Sequence, residues 1–487
     1  VYKRQSLGYT NDPTTFKNRS TPAPSTRSMA CKAQTSGRIY LHSGPRTELH
    51  EIIRQEYARH QDRAAPRNTL RQAVQGMLDT FAYQNFDAAA GEYTNRCCRP
   101  PRETEMRPWR LVTEIGWTGG GVLAYPLVLC RDALGADAEA PLAAAMSGEQ
   151  LFDRIADAYN ENSGLLNDLM TPNAAGSQVN GWWTGYGLVK DCHCAYTVGS
   201  AVHYLTKTMD YLHQNGKPCP AKWMDAAQKV LHTVMDLQRA DGAFGYTYST
   251  QERRVLDWSG FAGCWFAPAL VYLYRLTGEE RCLHSAEKAL HYYHTFVKDL
   301  NCYGTPMDTW KAVDEEGNLA FMRGSRLLYE QIGKAEFLQY MKDSAGYEFL
   351  WRYGYKTYPE HTPLNQGWSA CGGAVTSVSN PHIHPMGVII DTDLRYLARV
   401  TGDGYYASRA ADSAAWMLQC LELYPAATGY GRYGILSERW CPSDGLDVER
   451  FSDGRPFSSW FSHNLWASAC VLEAACELLL ESEHKKG

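Results

Sequence analysis

Two kinds of helical stretch alternate along this chain from about residue 65, and this alternation limits the possible folds more than any other feature. The first kind is polar on one side and apolar on the other, which is typical of a helix with one face in water. The second kind is apolar on most sides and richer in Gly, Ala and Ser, as expected for a covered helix. The first kind lies near residues 67–84, 147–160, 221–238, 280–299, 335–351 and 405–422, and the second near 117–133, 194–214, 259–277, 318–333, 382–401 and 461–482.

Six outer and six inner helices in strict alternation predict an all-α fold, a closed (α/α)6 barrel of six helical hairpins with long loops on one face. Almost no segment shows the alternation of a β-strand. We expect residues 46–487 to form the barrel as one domain. Residues 1–45 are rich in Ser, Thr, Pro and Asn without a helical period, so we expect them to be disordered, and Met29 is a candidate start that leaves it open whether residues 1–28 are native.

Composition excludes several classes of protein. The 487 residues carry a net charge of -5, which disfavours a nucleic-acid surface. No apolar run is long enough to span a membrane and no signal peptide is recognisable, so we expect a cytoplasmic protein that binds neither nucleic acid nor membrane. The fifteen cysteines have no regular spacing and are expected to be mostly reduced. No phosphate-binding glycine motif appears, so we expect no cofactor.

The loops that lead from outer to inner helices are expected to hold the functional site. All inner helices run the same way in such a barrel, so their N-termini meet at one end and these loops line it. The loops are long, aromatic and rich in His, Asp, Glu and Arg, whereas the reverse connections, such as TGEE and TGDG, are short. Six converging helix N-termini favour an anionic ligand such as a carboxylate, which makes an acidic sugar a reasonable substrate.

Three segments at the starts of inner helices resemble those of six-hairpin glycosidases. They are Thr113-Glu114-Ile115-Gly116-Trp117, Lys190-Asp191-Cys192-His193 and Asp257-Trp258-Ser259-Gly260. The layout over residues 65–483 is similar to that of unsaturated glucuronyl and rhamnogalacturonyl hydrolases. The third segment lacks the Arg-Gly pair of those enzymes, and the set as a whole is more similar to the β-glucuronidases of glycoside hydrolase family 154. The resemblance implies that Asp191 is the proton donor and that Glu114 stands where those hydrolases place an aspartate.

Hydrolysis of a glycosidic bond needs one carboxylic acid to protonate the leaving oxygen and a second carboxylate to activate water or attack the sugar. Glu114 and Asp191 supply such a pair, although either also fits a helix N-cap. Glu438 is the reserve acid, and its simpler interpretation is a surface pair with Arg439. Aromatic side chains would stack on the sugar and desolvate the acid, and the candidates are Trp117, Trp182, Trp183 and Trp258.

Histidines open the last two inner helices. His382 and His384 lie in Ser379-Asn380-Pro381-His382-Ile383-His384-Pro385, and His463 follows Ser462. With Arg439, they could bind a uronate carboxylate, and histidine can also move a proton. The segment is similar to the Asn-x-His-x-His-x-x-Glu motif of sugar 2-epimerases, but Gly387 stands where that motif has Glu. Cys192-His193-Cys194 has no second ligand pair nearby, so no metal is expected.

The leading hypothesis is a hydrolase that removes a terminal uronic acid, of the β-glucuronidase type, from a uronic-acid-containing oligosaccharide. An unsaturated uronyl hydrolase, a polysaccharide lyase and a sugar 2-epimerase remain alternatives on the same barrel, and a carbohydrate-binding scaffold is the alternative without catalysis. The sequence leaves open the linkage and aglycone, saturated or unsaturated uronide, the stereochemical outcome and the oligomeric state, for which a homodimer is one option.

Overall fold

The computed structural model describes residues 40, 43–60, 63–98, 107–109, 115–116, 119–168, 192–305, 311–357, 368–378, 380–421, 423, 434, 436–440, 459–463 and 465–484. The expectations for residues 1–39 lie outside the described residues. Fourteen α-helices occur in the described part: α1 (Leu49–Tyr57), α2 (Leu70–Thr80), α3 (Gly121–Leu134), α4 (Glu139–Ala144), α5 (Gly148–Asp157), α6 (Ala195–Gln214), α7 (Ala221–Asp236), α8 (Phe266–Thr277), α9 (Glu280–Lys298), α10 (Glu316–Ile332), α11 (Ala335–Trp351), α12 (Asp391–Thr401), α13 (Gly404–Cys420) and α14 (Leu465–His484).

Six of these helices form the inner ring of an (α/α)6 barrel, which confirms the predicted fold. The inner helices are α3, α6, α8, α10, α12 and α14; each packs on the next, and α14 closes the ring against α3. The outer helices are α2, α5, α7, α9, α11 and α13. Burial separates the two layers, since 17 of the 20 residues of inner helix α6 are buried but only 8 of the 16 in outer helix α7.

Local sequence signals set the helix ends. Outer helices α2 and α5 begin with capping boxes, Thr69 with Gln72 and Ser147 with Gln150, which satisfy the first free amides of each helix. Inner helices α8, α10 and α12 end at glycines in the left-handed conformation, such as Gly278 with φ of 73°. Outer helices α9, α11 and α13 begin within two or three residues of these glycines. The short connections therefore lie at one end of the barrel, the turn end, opposite the loop end at which the inner helices begin.

The loop end also carries short β-strands that the sequence pattern did not predict. The described residues contain β1 (Phe86–Asp87), β2 (Glu92–Tyr93), β3 (Asn95–Cys98), β4 (Arg107–Trp109), β5 (Tyr159–Asn160), β6 (Leu165–Leu166), β7 (Cys192–Cys194), β8 (Thr247–Ser249), β9 (Val255–Asp257), β10 (Ala374–Ser377), β11 (Asn380–His384), β12 (Arg439–Trp440) and β13 (Ser459–His463). Each has only two to five residues, too few for a period of two to stand out.

Strands from different loops pair with one another. One antiparallel sheet of six strands has the order β10-β11-β12-β13-β3-β4, and another joins β7, β8 and β9. The first sheet links the loops before inner helices α3, α12 and α14, and the second links those before α6 and α8. This pairing corrects the predicted starts of two inner helices: residues 382–384 and 461–463 are extended strand, and the helices begin only at Asp391, after a 3-10 turn, and at Leu465.

No helix among the described residues is both long and apolar enough to cross a bilayer.

Candidate active site at the loop end

Three strands of the six-stranded sheet bring together segments that the sequence singled out. Strand β11 carries His382 and His384, β12 carries Arg439, and β13 ends at His463. These strands are direct neighbours, with Ile383 opposite Trp440 and Arg439 opposite Trp460. For His382, Arg439 and His463, the structure describes the backbone position only. Three segments that are apart in the sequence therefore pair as neighbouring strands at the loop end.

A buried carboxylate marks the axis of the barrel at this end. The Tyr196 hydroxyl of the second inner helix, α6, donates to Glu316 Oε2 of the fourth, α10, at 2.6 Å. The same hydroxyl lies 4.0 Å from the Met386 sulfur, just before the fifth inner helix. Helices α6 and α10 are not neighbours in the ring, so this hydrogen bond crosses the lumen. Glu316 is 4% exposed, and its carboxylate is therefore held near the axis in a water-poor site.

Aromatic rings surround this level of the lumen. Trp265 meets the ring of Tyr196 edge-on at 6.3 Å and that of His203 at 5.4 Å. On the opposite side, His384 lies edge-on to Trp466 with 5.7 Å between centroids. All five rings are buried. Burial, together with the charges of Lys207 and Arg323, lowers the pKa of His203 well below its usual range, so this imidazole is neutral at pH 7.

Three consecutive acids at the start of α10 have three different surroundings. Asp314 caps the helix, because its carboxylate accepts the amides of Gly317 at 3.2 Å and Thr305 at 3.0 Å. Burial raises the pKa of Asp314 to about 7, although these amides oppose the shift. Glu315 turns away towards outer helix α11, where it meets Glu348. Only Glu316 faces the side chains that cross the lumen.

Glu315 belongs to a buried cluster of carboxyl groups around one arginine. Arg352 bonds Glu348 Oε1 at 2.7 Å, Asp391 Oδ1 at 2.8 Å and the Gly387 carbonyl at 2.7 Å. No described donor reaches either carboxylate oxygen of Glu315. Burial, and then repulsion by Glu348, raises the pKa of Glu315 well above its usual range. Burial likewise raises the pKa of Asp391 to about 7 against the opposing effect of Arg352.

Gly387 makes room for this cluster. A Cβ at this position would lie 2.4 Å from Glu315 Oε1 and 3.1 Å from Glu348 Oε1. The epimerase-like motif has its glutamate at the position of Gly387. Here the carboxyl groups of Glu315 and Glu348 occupy the space beside this position. A side chain larger than hydrogen cannot enter there unless Glu315 moves.

Towards the turn end, the lumen is occupied by paired charges. Lys207 lies 12 residues into α6, about 18 Å from its start, and pairs with Glu473 and Glu477 of α14. Arg323 of α10 pairs with Asp393 of α12 at 2.8 Å. Helices α6 and α14 are not neighbours in the ring, so the Lys207 pairs also cross the lumen. The ion pairs of Lys207 and Arg323 therefore lie deeper in the barrel than Glu316, as seen from the loop end.

Several predicted site residues lie outside the described part of the chain. They are Glu114, Trp117, Trp182, Trp183 and Asp191. Trp258 is described and half-buried, with the Arg239 guanidinium over its ring at 5.2 Å. Glu438 is 5% exposed, so its interpretation as a surface pair with Arg439 is wrong, since a surface pair needs a solvated carboxylate.

The sequence interpretation missed Glu315 and Glu316. Both stand in Val313-Asp314-Glu315-Glu316-Gly317, at the opening of an inner helix. Asp191 is a candidate because it is expected to open an inner helix. Glu315 and Glu316 stand at the opening of the fourth inner helix, so the same signal points to them. A second group with metal-ligand spacing, Glu287, His291 and Glu336, lies on the outer layer, where Lys334 pairs with Glu287. It belongs to the outer surface and not to the lumen.

Fold and site together define an (α/α)6 barrel whose lumen has a buried carboxylate and aromatic rings towards the loop end and ion pairs towards the turn end. No protein-family model matches the chain, and no curated protein matches it. Solved structures do share the fold. A D-mannose isomerase has a TM-score of 0.53 at 10% identity, covering 85% of this chain and 97% of that one. A family 76 glycoside hydrolase from a bovine Bacteroides thetaiotaomicron strain has a TM-score of 0.54 at 12% identity, covering 85% and 78%.

A third similar structure is a cellobiose 2-epimerase from Bacillus thermoamylovorans B4167, with a TM-score of 0.51 at 12% identity, covering 88% of this chain and 99% of that one. At this level of identity the likeness shows the fold alone. It confirms the (α/α)6 barrel and, for the fold, the resemblance to six-hairpin glycosidases.

Proposed function

We propose that this protein is a glycoside hydrolase that removes a terminal uronic acid, of the β-glucuronidase type, from an oligosaccharide. The observation that carries the proposal is Glu316, a buried carboxylate near the barrel axis, held by Tyr196 at 2.6 Å among aromatic rings. Glycosidases need buried acids beside a surface on which a sugar ring can stack. The proteins that share the fold act, by their names, on sugars or glycosides.

The catalytic assignment follows the resemblance found in the sequence. Asp191 protonates the leaving oxygen, and Glu114 is the second carboxylate, which activates water or attacks the sugar. Glu316 adds a third carboxylate that contacts the sugar in the lumen and stabilises the positive charge that develops on the ring. Glu438, which is buried, stays the reserve acid.

Two features support a terminal uronic acid as the substrate. The ion pairs of Lys207 cross the lumen towards the turn end, which favours a chain that enters by its end and loses one sugar at a time. The N-termini of six inner helices favour an anion at the loop end. His382, His384, Arg439 and His463 lie on neighbouring strands there and are the proposed partners of the uronate carboxylate.

The first experiment compares a matched pair of substrates, an aryl β-glucuronide and the aryl β-glucoside. A desolvated carboxylate contact gives a preference of about 2–4 kcal/mol, so the glucuronide should have the higher kcat/KM. Equal rates would contradict the uronic acid assignment. Absorbance of unsaturated uronides separates the related reactions: its loss indicates an unsaturated uronyl hydrolase, and its appearance indicates a polysaccharide lyase.

The second experiment tests Asp191. Asp191→Asn should lower the rate on a sugar-linked substrate by about 10²–10⁴-fold, because the leaving oxygen loses its acid. An aryl glycoside with an acidic phenol needs little protonation, so the variant should lose less activity on it. If both substrates slow by the same small factor, Asp191 is only a helix cap, and Glu438→Gln becomes the next variant.

A sugar epimerase or isomerase is the second candidate. It is favoured by the buried His384 beside Trp466, because histidine can abstract and return a proton on a free sugar. Incubation of mannose, glucose and cellobiose in deuterated water tests it. Epimerisation through proton transfer incorporates deuterium at C2 of the aldose, and isomerisation incorporates it at C1 of the ketose product, whereas a hydrolase leaves free sugars unlabelled.

A further inference from the structure

A buried chain of three polar side chains lies beside the loop end, outside the lumen site. His193 Nδ1 lies 3.2 Å from Asp168 Oδ1, and His193 Nε2 lies 2.9 Å from Ser163 Oγ. The exposures of Ser163, Asp168 and His193 are 1%, 0% and 0%. A carboxylate that accepts from Nδ1 fixes the other ring nitrogen as an acceptor, so Ser163 donates to Nε2.

Asp168 also binds the two backbone segments that precede inner helices α3 and α6. Its carbonyl accepts the amide of Ile115 at 2.9 Å, and its Oδ2 accepts the amide of Cys194 at 3.0 Å. The same residue therefore holds the neighbour of Glu114 on one side and the strand that follows Asp191 on the other.

Close packing strengthens this junction. A Cβ at Gly116 would lie 2.3 Å from the Thr197 carbonyl oxygen, so the segment after Glu114 presses directly on the first turn of α6. Cys194 is the last residue of β7, and Ala195 begins α6. A shift of the Asp168 anchor would therefore move both segments relative to each other.

The Ser-His-Asp order is also that of a serine hydrolase, but the burial argues against this role. Ser163 is 1% exposed, and its Oγ also accepts the amide of Leu165 at 3.3 Å. A nucleophile needs access to its substrate. The hydrogen bonds of Ser163, His193 and Asp168 instead hold backbone segments in place. Among the described residues, no surface that could bind a substrate adjoins these three side chains.

We propose that Asp168, oriented by His193, is a positioning residue for the reaction: it fixes the segment at Ile115 against the segment at Cys194, and these segments adjoin Glu114 and Asp191 in the sequence. The inference rests on the proposed function, because it assigns these two acids to the reaction. In a hydrolase, the separation of the two carboxyl groups decides whether water or the carboxylate itself attacks the sugar. Asp168 therefore controls the geometry of the reaction without touching the substrate.

The test compares variants that keep and lose the anchor. His193→Asn retains an N–H close to the position of Nδ1, whereas His193→Leu removes this N–H and Asp168→Asn removes the carboxylate that accepts it. We expect His193→Leu and Asp168→Asn to lower kcat on the glucuronide by about 10–100-fold with KM changed less than about threefold, since misplaced catalytic groups cost rate rather than binding. His193→Asn should restore most of kcat.

Asp403→Asn is the matched control, since Asp403 also accepts a backbone amide, that of Tyr405 at 3.0 Å, and pairs with a cation, Arg54. It lies at the start of outer helix α13 and should leave kcat unchanged. A kcat for Asp168→Asn within about twofold of the unmutated protein would overturn the proposal. Labelling of Ser163 by a fluorophosphonate would overturn it too, because it would show a reactive serine.

Hydrogen exchange separates this proposal from the proposed function. The amide of Cys194, which bonds the Asp168 carboxylate, should exchange at least about tenfold faster in Asp168→Asn than in the unmutated protein, while the Tyr405 amide should not change. This measurement needs no substrate. Absence of glycosidase activity in the unmutated protein would defeat the proposed function, whereas unchanged exchange at Cys194 would defeat the anchor alone.

Discussion

The two ends of the barrel hold buried charge in different ways. Towards the turn end, Lys207 pairs with Glu473 and Glu477, and Tyr204 and Tyr125 donate to the same carboxylates at 2.9 Å and 3.1 Å. Lys207 and Arg323 outweigh the effect of burial and hold the pKa of Glu477 at about 2. Every one of these charges has a partner of opposite sign within the lumen.

At the loop end, a buried cluster between the inner helices and outer helix α11 holds more carboxyl groups than cations. Glu315, Glu348 and Asp391 gather around the single Arg352, and no described donor reaches the oxygens of Glu315. Burial raises the pKa of both Glu315 and Asp391. An unmatched buried acid opposes folding, whereas an acid with a raised pKa can supply a proton at neutral pH.

Under the proposed function, the difference separates a structural end of the barrel from a functional end. The paired charges at the turn end fix the inner helices to one another. Acids without matching cations are expected where their chemistry is needed, because stability is given up at active sites. The comparison predicts that loss of a paired charge at the turn end lowers stability and that loss of the Glu316 charge at the loop end lowers activity.

The largest effect should come from Lys207→Met. Loss of the ammonium leaves Glu473 and Glu477 buried without their cation, which should lower the free energy of unfolding by about 3–5 kcal/mol. The matched control is Lys222→Met, because Lys222 also pairs with two carboxylates but is 42% exposed. It should cost less than about 1 kcal/mol. Urea unfolding measures both, and equal costs would contradict the structural role of the turn end.

Glu316→Gln should show the opposite behaviour. The amide keeps the size of the side chain and can accept from Tyr196, so the midpoint of unfolding should change little. Loss of the negative charge should lower kcat on the glucuronide by about 10²-fold or more. Glu280→Gln, at an exposed position in the first turn of α9, is the control and should leave kcat unchanged. If Glu316→Gln lost much stability but kept its kcat, Glu316 would stabilise the fold and take no part in the reaction.

Gly387→Ala tests the space that the acid cluster occupies. The added methyl would lie 2.4 Å from Glu315 Oε1, so the variant should lose about 1–3 kcal/mol of stability. The same substitution combined with Glu315→Ala should cost less, because the clashing atoms are gone. Gly404→Ala, with nothing within 4 Å of the added Cβ, is the control and should be nearly neutral. Additive costs in the double variant would show that the two positions do not compete for space.

The sequence predicted the barrel more fully than the site. Helix periodicity is local, so the six outer helices were found within a few residues of their observed bounds. The strands of the loop end depend on pairing between loops hundreds of residues apart, such as His463 with Arg96, and no local pattern reveals that. Glu315 and Glu316 are adjacent in the sequence, but the Glu315 side chain meets Glu348 of an outer helix and the Glu316 side chain meets Tyr196 of an inner helix. The tertiary fold decides these surroundings, so no local sequence pattern could predict them.

The smallest expected effect is the pH dependence of Glu315→Gln. The folded state raises the pKa of Glu315 above its ordinary value of 4.5, so the folded protein binds this proton more tightly than the unfolded chain. The stability that this group contributes is present below about pH 4.5 and is lost as the pH rises through the folded pKa.

Glutamine cannot ionise, so the Glu315→Gln variant escapes that loss, and its amide can donate to Glu348. Relative to the unmutated protein, the variant should become progressively more stable between pH 5 and pH 8 in urea unfolding. Glu280→Gln should run parallel to the unmutated protein over this range. A gain that shrinks as the pH rises would mean that Glu315 is ionised and paired in the folded state, and the loop end would then hold its charge in the same way as the turn end.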